Sequence, residues 1–227
     1  MTVDDVFEPS EKNKILVMKS LAKSHINLML GDKILNDVGH YLVIAGGAFP
    51  DWFHSTRNGP KDIDVFVLHD ETAKNKLRAY LGSNGFVLKS TDYLKQTNPG
   101  AKHVQEIWEG IPDGRKYQFI FTDYLSREEL IKEFDYKHCM VSYDVGKNEI
   151  YITRSIYDAI ANKHLIVNNQ NRVADWRRTK FLQRGFTESA ESVKVDERFV
   201  PWSKYSTNLA ADAIKAKLMK ELEVNGQ

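Results

Sequence analysis

The 227-residue chain carries 32 Lys plus Arg against 31 Asp plus Glu, a net charge of +1, and a single cysteine. Its length allows one large domain or a core with an extension, and its composition, 42% apolar and 28% charged, excludes disordered, fibrous and DNA-wrapping classes. Cys139 alone excludes an internal disulfide and a cysteine-rich zinc site, so any metal is held by oxygens or histidines and the compartment is reducing. The acidic start, Met1 to Glu11, has no secretion-signal core, and no stretch reaches the ~18 apolar residues of a membrane span. The expected location is therefore cytoplasmic, the host cytoplasm if the protein is viral, with no membrane partner. Oligomeric state is not legible in the sequence.

Residues 10 to 38 place Ile15, Leu16, Met18, Leu21, Ile26, Leu28, Met29, Leu30, Ile34 and Leu35 at a roughly helical spacing, which predicts one or two helices after a Ser10 cap. From Tyr41 the pattern becomes short apolar or alternating runs. Strands are predicted over Tyr41–Ala45, Ile63–Leu68, Phe86–Lys89, Val104–Trp108, Tyr117–Phe121, Met140–Val145 and Glu149–Thr153. Between them, Glu71–Leu81 and Ser126–Phe134 read as helices, the second opening on a Ser-Arg-Glu-Glu capping box. Hairpin turns are expected at Pro112-Asp113-Gly114 and Gly146-Lys147-Asn148, with a longer loop joining Phe86–Lys89 to Val104–Trp108. After Ser155, helices are predicted over Ile156–Lys163, Asp175–Gln183 and the amphipathic Asn208–Glu223, with a polar, loosely ordered stretch between the last two. The expected organisation is a core over 1–154 with its N-terminal helices and a helical extension over 155–227.

Chemistry concentrates in Tyr41-Leu-Val-Ile-Ala-Gly46-Gly47-Ala-Phe-Pro-Asp51 and in Lys61-Asp62-Ile63-Asp64-Val65-Phe66-Val67. On a strand, Asp62 and Asp64 project from one side, and two carboxylates that close repel unless a cation sits between them. An all-oxygen site of this kind suits Mg²⁺ or Mn²⁺ with a phosphate-bearing substrate. A Gly-Gly turn can present backbone N–H groups to those phosphates.

Gly46-Gly47, Asp51 and Asp62-x-Asp64 opening an apolar strand resemble the signature of the DNA polymerase β-like nucleotidyltransferase superfamily, nearest to tRNA CCA-adding enzymes and bacterial poly(A) polymerases. The likeness covers about residues 41 to 68. The later stretch through Gln118 and Phe134-Asp135-Tyr-Lys-His138-Cys139 resembles small viral and phage proteins that join such a domain to a helical tail. The resemblance implies an α/β (α+β) core with a mixed sheet, helices on one side and a C-terminal helical extension. It also implies a metal-dependent transfer of a nucleoside monophosphate from a nucleoside triphosphate such as ATP to an acceptor hydroxyl, with release of pyrophosphate; the acceptor is an RNA or tRNA end, a small molecule or a protein. Asp62 and Asp64 would be catalytic and metal-binding. The nucleotide-binding set would be Gly46, Gly47, Arg57, Lys61, Gln118 and Arg178.

Two departures accompany the resemblance. Pro50 stands where CCA-adding enzymes place an arginine, and Gln118 occupies the position of a third carboxylate, where it can orient a group but cannot act as a base. A turn at Asp113-Gly114 brings Glu109 opposite Gln118, or Trp108 with a small shift of register, so Glu109 is the replacement catalytic candidate, with Glu106 further back on the same strand. Arg172, Arg177, Arg178, Lys180 and Arg184, with Asp175 as the one acid, form either a solvated helical face or a cradle for phosphates or nucleic acid. His54 lies in the loop between the glycines and the aspartates, near the expected phosphates. Asp135, His138 and Cys139 have no zinc-site spacing and read as a helix end before a buried strand. The alternative to an enzyme is a degenerate fold that binds nucleotide, RNA or a partner protein without chemistry.

Overall fold

A computed structural model of the protein describes residues 6–54, 59–91, 99–188 and 200–201. Arg57, the tail aromatics Trp202 and Tyr205, and the helix predicted over residues 208–223 lie outside the described residues. The chain opens on α1 (Pro9–Val38). Proline needs no N–H partner at a first helical position, so the helix begins at Pro9 and is capped at Glu8, whose N–H donates to the Glu11 carboxylate at 2.8 Å. Ser10, the predicted cap, lies one residue inside. Gly31, at φ +62°, breaks α1 into two segments.

Next come β1 (Leu42–Ala45), α2 (Ala48–Phe53), β2 (Asp62–Val67), α3 (Glu71–Ser83), β3 (Val87–Lys89), β4 (Val104–Gly110) and β5 (Lys116–Thr122). They are followed by α4 (Arg127–Lys132), β6 (Ser142–Asp144), β7 (Glu149–Ile152), α5 (Arg154–Ala161), β8 (His164–Leu165), α6 (Asp175–Gln183), β9 (Thr187–Glu188) and β10 (Val200–Pro201). The main sheet runs β10-β7-β6-β1-β2-β5-β4-β3, and β8 pairs with β9 apart from it. Every neighbouring pair in the main sheet is antiparallel except β2 and β5. That parallel pair needs a crossover, which α3, β3 and β4 supply.

Alternation along β2 and β5 decides what the two faces of the sheet do. Ile63, Val65 and Val67, with Tyr117, Phe119 and Phe121, enter one large core with α1, α2, α3 and α5. Burial of such side chains is worth about 1.5–3 kcal/mol each. The intervening Asp62, Asp64, Gln118 and Ile120 face the other way. That second face is not bare, which corrects the expectation of helices on one side only. Leu130 and Ile131 of α4 pack on Val43 and Ala45, and Phe181 of α6 joins Tyr136, Cys139, Leu165 and Phe186 in a third cluster. The polar sequence of α6 concealed this docking, because one aromatic side chain carries it.

His138 lies among the rings of Tyr136, Phe181 and Phe186. Neither ring nitrogen has a hydrogen-bond partner among the described residues. Burial, aided by the Arg177 and Arg184 charges, pushes its pKa down to about 3. An unfolded chain takes up that proton near pH 6.5 and the native chain refuses it. Native stability is therefore expected to fall as pH drops from about 6.5 toward 4. Urea midpoints at pH 7 and pH 4.5 should show a smaller difference in His138→Phe than in the wild type.

Candidate active site

Leu42–Ala45 is a fully buried apolar strand, and its end turns sharply at Gly46, φ +95°. A side chain there would be strained, and its Cβ would sit 3.4 Å from Asp64 Oδ2. The Gly46 N–H donates to the Cys139 carbonyl at 3.1 Å. Gly46 therefore shapes the turn and is not an open donor, which corrects the expectation that both glycines offer N–H groups. Gly47 caps α2 directly afterwards. Asp51, part of the resembling motif, lies within α2, 3.6 Å from Arg184 Nη1.

Strand register assembles the rest. Ala45 pairs with Asp64, Asp64 with Gln118, and Gln118 with Glu109. The turn at Asp113-Gly114 thus aligns Glu109, not Trp108, with Gln118, and Gln118 Nε2 donates to Glu109 Oε1 at 2.5 Å. Glu109 also meets Lys116 at 3.5 Å and Lys89 at 3.6 Å. Glu106 is turned to the helix-covered face, where Arg78 and Trp108 Nε1 hold it. It does not reach the aspartates.

A cleft of about 280 Å³ opens on this face. Gly46, Gly47, Asp62, Asp64 and Gln118 line one end, and Arg172, Arg177 and Lys180 reach it from the segment that includes α6. Arg177 is bound to the buried Asp135 carboxylate, at 3.0 Å through Nη2, and Arg172 pairs with Glu133. The basic run divides by helical period. Positions 177, 180, 181 and 184 fall on one stripe, whereas Arg178 leaves the cleft and donates to Glu188 at 2.5 Å. Lys180, named from sequence only as one member of the basic run, is selected by that period once Phe181 is taken as the buried anchor. Lys61 is exposed and does not line the cleft. His54 is bonded through Nε2 to the Ile160 carbonyl at 2.9 Å.

Asp64 has its Oδ1 shut off from solvent with no hydrogen-bond partner among the described residues. Desolvation, then the Asp62 charge, pushes its pKa up to about 7, against the opposing pull of Arg177, Lys180 and Lys116. Among the described residues no group of three or more His, Cys, Asp or Glu gathers for a metal. Two carboxylates with an unsatisfied oxygen nevertheless fit Mg²⁺, which is commonly held by one or two carboxylates and completes its shell from substrate phosphates and water. Cys139 is fully buried, which pushes its thiol up to about 12.

A mixed sheet carrying a Gly-Gly turn beside an Asp-x-Asp strand gives the chain a nucleotidyltransferase-like fold. It is similar to a tRNA-processing enzyme in apo form I, with a TM-score of 0.50 and 16% identity, over 87% of this chain and 48% of that one. A tRNA nucleotidyltransferase complexed with a primer tRNA and an incoming ATP analog matches with a TM-score of 0.49 and 14% identity, over 83% and 51% of the two chains. The Bacillus stearothermophilus CCA-adding enzyme in complex with CTP matches with a TM-score of 0.46 and 15% identity, over 82% and 42%. The chain spans about half the length of these proteins or less. No curated protein sequence matches it. A family model described as Gad2, Gabija anti-defense 2 family protein, matches residues 11–163, and the chain belongs to that family.

Proposed function

We propose that the chain is a divalent-metal-dependent nucleotidyltransferase that serves the anti-defence role its family description states. The observation that carries the reading is Asp64, a carboxylate with one buried, unpartnered oxygen, beside Asp62 and the Gly46 turn. Asp62 and Asp64 would hold Mg²⁺ or Mn²⁺, which when bound neutralises charge on the α-phosphate and on the departing pyrophosphate. Gly47, at the start of α2, and Lys180 would bind the phosphates, while Gly46 keeps the backbone clear of Asp64. Gln118 orients the acceptor hydroxyl and leaves proton removal to water.

Incubation with labelled nucleoside triphosphates, Mn²⁺ and a cell extract tests this. Label should enter an acceptor with the wild type and fall to background with Asp62→Ala at an unchanged melting temperature. Equal labelling by both would overturn the reading. Gln118 favours the second reading, a nucleotide- or partner-binding fold without chemistry; saturable nucleotide binding with no label transferred in any fraction would establish it.

A further inference from the structure

Resting on that reading, we infer that the acceptor is a tyrosine hydroxyl of a protein, its ring held in the apolar half of the cleft. In phosphoryl transfer the attacking and leaving oxygens lie roughly in line across the phosphorus. The Gly46-Gly47 turn stands at the β1 edge of the site, so pyrophosphate leaves on that side. The acceptor then approaches from the opposite side, over β5 and β4. There the floor is Ile120 and Ile107, which pair across the two strands, flanked by Phe66, Val104 and Tyr124.

Those five residues offer a phosphate no cation. The arginines that line the same cleft are already paired, Arg172 with Glu133 and Arg177 with Asp135, and Lys180 is assigned to the triphosphate. A nucleic-acid acceptor is bound chiefly through its phosphates by Lys and Arg, and these cations are already engaged. Tyrosine has the matching shape, an apolar ring with a polar tip: the ring lies on Ile107 and Ile120 while the hydroxyl reaches Asp64 and Gln118. The whole cleft, its phosphate end included, holds about 280 Å³, below the roughly 300–1,000 Å³ of small-molecule pockets, so only the tip of a large acceptor enters.

In the step, the phenolic oxygen forms a bond to the α-phosphorus as the bond from that phosphorus to the bridging oxygen of the β-phosphate breaks. Pyrophosphate leaves with the electron pair, and the phenolic proton passes to water. The product is a tyrosyl phosphodiester.

The test incubates the full chain with α-phosphate-labelled nucleoside triphosphates, Mn²⁺ and a cell extract, then divides the products by nuclease and protease digestion and maps modified residues by mass spectrometry. Label resistant to nuclease and mapped to tyrosine oxygen is the expected result. Label in nuclease-sensitive material, in a small molecule or on other side chains overturns the tyrosine assignment and leaves the nucleotidyltransferase reading standing; no label in any fraction overturns both. Ile107→Asn and Ile120→Asn, with the Ala variants as the milder pair should either fail to fold, are expected to lower kcat/KM for the labelled protein at least tenfold with nucleotide Kd unchanged. Loss of nucleotide affinity instead would put the base in the apolar half and overturn the proposal.

Discussion

Asp64→Asn is expected to lower nucleotide transfer by at least about a thousandfold and, at the same time, to raise the melting temperature at pH 8. The two effects share one cause. Burial and the neighbouring Asp62 charge hold the Asp64 carboxyl up to about 7 in the folded protein, whereas an unfolded aspartate titrates near 3.9. Because the folded value is the higher one, protonated Asp64 favours folding at low pH, and that advantage is lost as pH rises through about 7. Above it the native state carries an unfavourable charge that asparagine does not have. The gain from Asp64→Asn should be absent below about pH 4, grow between pH 4 and 7, and level off above, at about 1–3 kcal/mol after allowance for partial solvent access. Thermal melts of both proteins across pH 4–8 measure it. A difference that does not change with pH would show that Asp64 is not held in its unfavourable charged form. Added Mg²⁺ should narrow the gap at pH 8, since a cation that binds the native carboxylates stabilises the wild type by mass action.

Arg177→Met carries the largest expected loss of stability. Asp135 is 4% exposed, and the Arg177 guanidinium is its charged partner. Removal of one member leaves a buried charge unpaired, at about 3–5 kcal/mol. The same guanidinium spans from α6 to the segment that leads into the Lys137–Cys139 turn. Through the Cys139 carbonyl, that turn fixes Gly46. Urea unfolding of Arg177→Met, Asp135→Asn and the double variant resolves the pair: the double should lose less than the sum of the singles, because the buried charge is gone. Strict additivity would show that the two residues are not coupled.

Much of this architecture was legible because the signals were local. The alternation in Ile63–Val67 and Tyr117–Phe121, the Ser126 cap and the Asp113-Gly114 turn each fix a short element with its face. Turn length narrowed the partner of Gln118 to Glu109 or Trp108, and pairing along the whole strand selects Glu109. What escaped the sequence depended on distant partners. Nothing near Gly46 announces that its N–H is taken by Cys139, far along the chain, and nothing near Glu106 announces Arg78. The six-residue α2 is too short for a period to show. In the basic run, counting charge suggested Arg178, whereas the stripe through Phe181 selects Arg177 and Lys180; composition sees the charge and only geometry sees its direction.

The parallel pairing of β2 with β5 has a kinetic consequence. The two strands meet only after a crossover of some forty-eight residues has closed, Leu68 to Arg115, and the basic wall follows later still in the chain. Loop entropy must be met before such long-range contacts reward it. During synthesis the helices and hairpins can form early, while the aspartates, Gln118 and Lys180 come together in the last steps. An emerging chain therefore holds no complete cleft until α6 has left the ribosome and docked, and the proposed activity would switch on with completion of the fold rather than grow with chain length.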